Sequence, residues 1–192
     1  MHKQFKWAAL LLFALPACHS GSGSTATDTA ASANSAVNKP DSSKMTAAPL
    51  SADDQAFMTD VAEAGMTEIQ ASQAAQSISR NQRVKDFASM MVSDHTKWGD
   101  NLKKLAQARN VTLPATPTPA QQAAVASLQK KSGTTFDKDY MRMMVHDHEG
   151  AVHLFEKGQK SVKDTALMTF VDNTLPGIRM HLDSARAIDK AL

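Results

Sequence analysis

Apolar side chains recur every three or four residues along four long segments of this chain, and this recurrence limits the fold more than any other feature. No stretch after residue 50 alternates apolar and polar residues in the way that a half-buried strand requires. At 1.5 Å per residue, each segment would form a helix about 40 Å long. The pattern therefore predicts an all-α four-helix bundle.

Breaks in the apolar pattern give the expected limits of the helices. The segment VTLPATPTP at 111–119 ends the second helix, because three prolines in six residues cannot continue it. We predict a shorter helix at 120–131 and expect Pro176 to kink the last helix. The four long helices are predicted at residues 51–79, 81–110, 135–160 and 164–191.

The lengths of the connections indicate how the helices run. The first and last connections are short, so each of these helix pairs is expected to be antiparallel. Some two dozen residues separate the second long helix from the third, which allows a long crossover containing the short extra helix. The second and third long helices would then run parallel.

The apolar stripe of each long helix predicts which residues form the core. The stripes contain Phe57, Val61, Ala64, Ala71, Ala75 and Ile78; Val84, Phe87, Met91, Trp98, Leu102 and Leu105; Phe136, Tyr140, Met144, Ala151 and Phe155; and Leu167, Phe170, Thr174, Ile178, Ala185 and Ile188.

A ten-residue motif occurs twice, as DFASMMVSDH at 86–95 and as DYMRMMVHDH at 139–148. Both copies end a methionine-rich run with an acid and a histidine. Because the two copies fall on helices that are expected to run parallel, their final histidines can lie at the same depth in the bundle.

Each apolar stripe is interrupted by one polar residue in the middle third of its helix, so four polar side chains are expected to meet on the bundle axis. His146, His153 and Glu63 do not share this direction, because they lie roughly 140–160° around their helices from the stripe positions. The four interrupting residues are Glu68, His95, His148 and His181.

One carboxylate and three imidazoles suit a single divalent transition metal such as Zn, Fe, Mn or Cu. The alternative is a metal-free hydrogen-bond network that only fixes the register of the helices. Asp94 and Asp147 flank the cluster and could orient a neighbouring histidine. Met91 and Met144 lie one turn from His95 and His148, where thioethers would favour Cu(I), although methionines at this spacing are also ordinary core residues.

The first residues predict export and attachment to a membrane. Residues 1–17 have the basic start and apolar stretch of a signal peptide, and Leu15-Pro16-Ala17-Cys18 resembles a bacterial lipobox, in which the cysteine is lipidated. Cleavage as a plain signal peptide is the alternative. Residues 18–50 are rich in Ser, Thr and Ala and predict a disordered tether to a domain at 51–192. Because His19 stands where Asp would favour inner-membrane retention, this resemblance implies the outer membrane.

Charge and motif content exclude several functions. The chain has 21 basic and 19 acidic residues, and removal of Lys3 and Lys6 with the signal leaves 19 of each, so nucleic acid is a poor partner. There is no Gly-rich phosphate loop or nucleophile elbow, and the single cysteine is assigned to lipidation, so we expect no enzyme of those classes. The sequence does not identify a protein partner.

Four stretches together resemble a bacterial family of predicted outer-membrane or periplasmic proteins, domain of unknown function 4142. They are GMTEIQASQAA, MMVSDH, FDKDYMRMMVHDHEGAVHLFEKG and TLPGIRMHLDSA. The resemblance implies a ferritin-like bundle over residues 51–192. YMRMMVHDHEGAV is also similar to domain of unknown function 305, whose members are linked to copper handling.

The chain departs from the di-iron pattern of ferritin-like enzymes, which use a Glu-x-x-His pair on each of two helices. Val92, Val145 and Ile178 stand three residues before the candidate histidines, where that pattern requires glutamate. We therefore expect one ion at most and no oxygen chemistry.

Overall fold

The computed structural model describes residues 49–192, and within them it contains five α-helices and no strand. The all-α prediction is confirmed, and the helix limits agree with the predicted ones to within about two residues. The predicted signal peptide, Cys18 and nearly all of the predicted tether lie outside the described residues. The helices are α1 (Ala52–Ile78), α2 (Gln82–Ala108), α3 (Pro119–Gln129), α4 (Gly133–Ser161) and α5 (Thr165–Asp189).

Polar side chains fix where most of the helices begin. Ser51, Asn81 and Asp164 each accept a hydrogen bond from a backbone N–H in the first turn of α1, α2 and α5. Thr118 and Gln121 form a reciprocal capping box at the start of α3. These caps replace the hydrogen-bond partners that the first turn of a helix lacks.

Contacts between α1 and its neighbours show the directions of the helices. Glu68 on α1 contacts His95 on α2, whereas Gln76, two turns further along α1, binds Ser89. Sequence numbers therefore rise along α1 as they fall along α2, which makes the two helices antiparallel.

The same comparison relates α1 to α4. Phe57 packs against Phe155 with ring centres 5.3 Å apart, and Ser72 bonds to Tyr140 at 2.8 Å. Because α1 is antiparallel to both α2 and α4, those two helices run parallel. The two copies of the repeated motif therefore point in the same direction, with the crossover between them.

Two apolar clusters fill the bundle, one on either side of its middle. The first includes Phe87, Met91, Tyr140, Met144 and Ala185, and α3 adds Val125 and Leu128 to it. The second includes Met58, Leu102, Phe155, Leu167 and Ile178. Along every long helix, the interrupting polar residue lies between the members of these two clusters.

A buried carboxylate fastens one end of the bundle. Asp54 in the first turn of α1 accepts hydrogen bonds from the backbone N–H groups of Lys163 and Asp164, at 3.2 and 3.1 Å. Asp164 in turn accepts a 2.8 Å hydrogen bond from Arg109 at the end of α2. The start of α1 and the end of α2 are thus held to the turn that precedes α5.

Several residues that the apolar stripes place in the core are only half-buried. Val61, Ala64, Trp98 and Ala151 line a cavity instead of a close-packed interface. Ile78 and Leu105 are also half-buried. Small side chains on α1 leave the cavity open, so the predicted burial of Val61, Ala64, Trp98 and Ala151 is wrong. The predicted burial of Ile78 and Leu105, which do not line it, is also wrong. The remaining stripe residues are buried.

The last helix runs from Thr165 to Asp189 with Pro176 inside it. None of the described helices has an apolar stretch of the length and hydropathy that would cross a membrane.

Replacement of Gly158 by alanine should destabilise the bundle. A Cβ at this position would lie 2.8 Å from a ring carbon of Phe57, which is itself buried, so the added methyl has no room. We expect the free energy of unfolding to fall by about 1–3 kcal/mol, as it does for other overpacked cores. Thermal and urea unfolding measure it.

Gly150→Ala is the matched control for Gly158→Ala. A Cβ at Gly150 meets no atom within 4 Å. The free energy of unfolding should therefore rise by up to about 1 kcal/mol, because alanine restricts the unfolded chain more than glycine does. Equal effects of the two substitutions would contradict the close packing of α4 on Phe57.

Candidate metal centre

Three histidine rings from three helices form a nearly equilateral triangle in the middle of the bundle. His95 belongs to α2, His148 to α4 and His181 to α5. Their ring centres are 5.4 Å apart for His95 and His181, 5.5 Å for His148 and His181, and 5.6 Å for His95 and His148. His148 and His181 are fully buried and His95 is 7% exposed.

The fourth predicted residue, Glu68 on α1, holds one side of the triangle. Its Oε2 accepts a hydrogen bond from His95 Nδ1 at 2.9 Å, and its Oε1 lies 3.4 Å from His148 Nδ1. Glu68 is 3% exposed, so its carboxylate depends on these imidazoles in place of water. It contacts the Nδ1 atoms of the two histidines.

The other two histidines are held in the same way. His148 Nδ1 donates to the backbone carbonyl of Met144 at 2.9 Å, one turn earlier on α4. His181 Nε2 bonds to Asp94 Oδ2 at 3.0 Å, across the interface of α5 with α2. Carbonyl and carboxylate oxygens only accept, so the ring nitrogen that faces each of them carries the proton.

This proton assignment leaves one lone pair on each ring. The free nitrogens are Nε2 of His95, Nε2 of His148 and Nδ1 of His181, and all three are buried without a hydrogen-bond partner. Among residues 49–192, five buried side-chain atoms have no partner, and four of them lie in this cluster, Glu68 Oε1 being the fourth. Native proteins rarely leave buried polar atoms unpaired, so this concentration distinguishes the cluster from the rest of the core.

The electrostatics of the cluster favour a cation. Burial raises the pKa of Glu68, but the interactions with His95, His148 and His181 outweigh it, so this pKa lies below its ordinary value of 4.5. Burial lowers the pKa of His148 and lowers that of His181 from 6.5 to about 4. At neutral pH, an ionised carboxylate therefore lies beside two neutral rings.

The spacing of the rings matches what a shared ion requires. One nitrogen from each histidine can be chosen so that all three lie within 4.8 Å of one another. With metal–nitrogen bonds of about 2.0–2.1 Å, three bound imidazoles would have their ring centres roughly 5.2–5.5 Å apart. The observed centres already lie near this range, so ligation requires the rings to turn more than to move.

The remaining predicted residues take different positions. Asp94 orients His181 and is 34% exposed, whereas Asp147 is half-buried and forms no hydrogen bond or ion pair with another described residue. Burial and the charge of Glu68 raise the pKa of Asp147 to about 6. Met91 and Met144 are fully buried in the first apolar cluster, and the contact of Met144 with His148 is made by its backbone oxygen.

Two contacts of the cluster were not predicted from the sequence. The indole of Trp98 packs on His95 and His181, with ring centres 4.8 and 5.1 Å away. The carbonyl of Met144 is the other. Trp98 follows His95 by three residues, a spacing that puts the two rings on one helix face, but no sequence pattern identifies a backbone carbonyl as a partner.

The His181 imidazole in chelator-treated protein should titrate near pH 4, well below the ordinary 6.5, because burial disfavours its charged form. Asp94→Asn should lower this pKa further, since the Asp94 carboxylate stabilises the imidazolium. Ring chemical shifts followed by NMR against pH measure both. Asp183→Asn, an exposed change two residues away, should leave the titration unaltered. Titration at 6.5 or above would contradict the geometry.

Comparison with known proteins agrees with this architecture. A crystal structure of a DUF305 fragment from Deinococcus radiodurans matches with a TM-score of 0.68 at 12% sequence identity, covering 75% of this chain and 99% of that chain. At this identity the likeness shows a shared fold. No curated protein matches the chain.

A family model carries the comparison further and confirms the resemblance that the four sequence stretches indicated. The model of a domain of unknown function, DUF4142, matches residues 39–188. This range covers well over half of the sequence and includes the whole of the histidine cluster. The chain belongs to the DUF4142 family.

Proposed function

We propose that this protein binds one divalent transition-metal ion through His95 Nε2, His148 Nε2 and His181 Nδ1. The observation that carries the proposal is the pairing of each ring. One nitrogen is held by an oxygen acceptor, and the other is buried with a lone pair and no partner. Histidines that bind metals have this arrangement, in which the outer acceptor fixes the tautomer and the direction of the ring.

The proposal gives Glu68 and Asp94 an orienting role. Glu68 accepts from the protonated nitrogen of His95, and Asp94 accepts from that of His181. The lone pair of each ring is therefore on the nitrogen that does not contact the carboxylate. The ionised Glu68 also offsets the charge of a bound cation in a region with little water. Ligation by Glu68 itself, through its unpartnered Oε1, stays a prediction and would complete a tetrahedral set.

The donor set narrows the choice of metal. Three imidazoles without a thiolate suit Zn, Cu, Fe or Mn at a single site, and the thioethers of Met91 and Met144 would add Cu(I) if they turned toward the rings. The role we propose is structural support of the bundle or metal handling under stress.

The alternative role is a metal-free network that fixes helix register. The Glu68–His95 and Asp94–His181 hydrogen bonds favour it, since each joins two helices. The four unpartnered buried atoms count against it, because a network that served only the fold would satisfy its own polar groups. Measured metal content distinguishes the two roles.

Purified protein should carry one metal ion per chain or take up one equivalent of Zn²⁺ or Cu²⁺. Metal at 100 times Kd stabilises the fold by about 2.7 kcal/mol, which corresponds to a rise in Tm of roughly 5–11 °C. Elemental analysis and thermal unfolding with and without EDTA measure these quantities.

His148→Ala should abolish both the stoichiometric metal and the rise in Tm. His153→Ala is the matched control, because this exposed histidine lies on the same helix outside the cluster. The wild-type protein binding no metal, or His153→Ala losing as much as His148→Ala, would overturn the proposal.

We also infer that the bundle is ferritin-like and that the mature protein is a lipoprotein of the bacterial envelope, with the outer membrane favoured. The parallel pair of motif-bearing helices and the long crossover support the first inference. The basic and apolar start, the lone Cys18 and the residues before it support the second.

Cys18→Ala should release the protein from the membrane fraction of the expressing cells, because no other cysteine can accept the lipid. Fractionation followed by detergent partitioning measures this, with Ser20→Ala as the control. Recovery of the wild-type protein in the soluble fraction would show that the chain is not anchored in this way.

A further inference from the structure

A large cavity opens beside the candidate metal centre. The proposed binding of a metal ion does not require this cavity. Its volume is about 1350 Å³, and its walls come from all five helices and from the crossover segment at 111–115. Glu68 and His95 lie in the wall, whereas His148 and His181 do not. The cavity exceeds the usual 300–1,000 Å³ of a site for a small organic molecule, so it has room for one.

The residues that line the cavity are mostly apolar, and several of those on α1 have small side chains. Leu102, Phe155, Phe170 and Ile178 supply apolar surface at the end formed by the second apolar cluster. On α1, every residue from 60 to 69 borders the cavity, and Ala62, Ala64 and Gly65 are too small to fill it. An apolar group that entered would bury surface that the fold leaves half-exposed.

Charge on the wall is one-sided. Lys103 is the only lysine or arginine among the lining residues, whereas six of them carry carboxyl groups, although the chain as a whole is nearly neutral. Glu149 is compensated by Arg186, which lies outside the cavity, but Glu68 is buried with an unpartnered Oε1 and Asp147 is half-buried without a polar partner among the described residues. The six carboxylates are Asp60, Glu63, Glu68, Asp100, Asp147 and Glu149.

We propose that this cavity binds a small amphipathic organic cation, meaning an amine or quaternary ammonium group that carries an apolar chain or ring. The carboxylates complement the cationic end and repel a fatty acid or another apolar anion. Aromatic rings of Trp98, Phe155 and Phe170 in the same wall add cation–π and apolar contacts. Five of the six carboxylates have no role in the proposed metal site, so the cation site does not require a bound metal.

Isothermal titration calorimetry on chelator-treated full-length protein tests the proposal with three ligands of equal chain length: octyltrimethylammonium, octanol and octanoate. We expect the affinity for the ammonium compound to be at least about tenfold higher than that for octanol, and we expect octanoate to show no binding. Equal affinity for all three head groups, or no binding of the ammonium compound, would overturn it.

Three variants locate the site. Ala64→Leu places a larger side chain into cavity space that the alanine leaves open and should weaken the binding of both the ammonium compound and octanol at least tenfold, with helix content checked by circular dichroism. Asp147→Asn should lower the affinity for the ammonium compound about fivefold and leave the affinity for octanol unchanged. Asp183→Asn, which removes the same charge on an exposed face outside the cavity, should change neither.

The metal proposal and the cavity proposal fail separately. His148→Ala removes a proposed metal ligand that does not line the cavity, so cation binding should survive in this variant. Unchanged ammonium binding in folded Ala64→Leu would place the ligand elsewhere and refute the cavity site, whatever the metal content.

Discussion

The hydrogen bond between the buried Glu68 carboxylate and His95 is the interaction on which the middle of this bundle depends. A carboxylate taken out of water is strongly destabilising unless cationic or hydrogen-bonding groups surround it. Here the imidazoles of three other helices surround it, and together they hold its pKa below the ordinary value despite burial. The same bond leaves Nε2 of His95 as its free nitrogen, buried without a hydrogen-bond partner.

Four polar residues at one level separate two apolar clusters that could otherwise have merged into one core. Apolar residues of similar volume at these positions would often be neutral or stabilising, so stability alone does not require this polar layer, which supports the metal proposal. The unpaired lone pairs point to the same conclusion, since a layer that only set register would pair its atoms internally. Trp98 covers one side of the layer and limits its contact with water.

The long crossover accounts for both candidate sites. It brings the chain back so that α4 runs parallel to α2, which places the two histidines of the repeated motif at the same depth. The same segment passes over α1 and α4, where α3 packs into the first apolar cluster and residues 111–115 close part of the cavity. The candidate metal centre and the cavity meet at Glu68 and His95, so a molecule in the cavity would lie beside this cluster.

Helical periodicity in the sequence determined the all-α fold, the approximate helix limits and the inward direction of Glu68, His95, His148 and His181, because each of these follows from spacing along a single helix. The lengths of the connections predicted their shared level. The tertiary structure decided which nitrogen of each ring is free, because that depends on acceptors such as Asp94 on another helix and the Met144 carbonyl. It also decided that Val61, Ala64, Trp98 and Ala151 border a cavity. An apolar stripe shows which side of a helix faces inward, whereas the distance to the facing helix is set by the packing of all five.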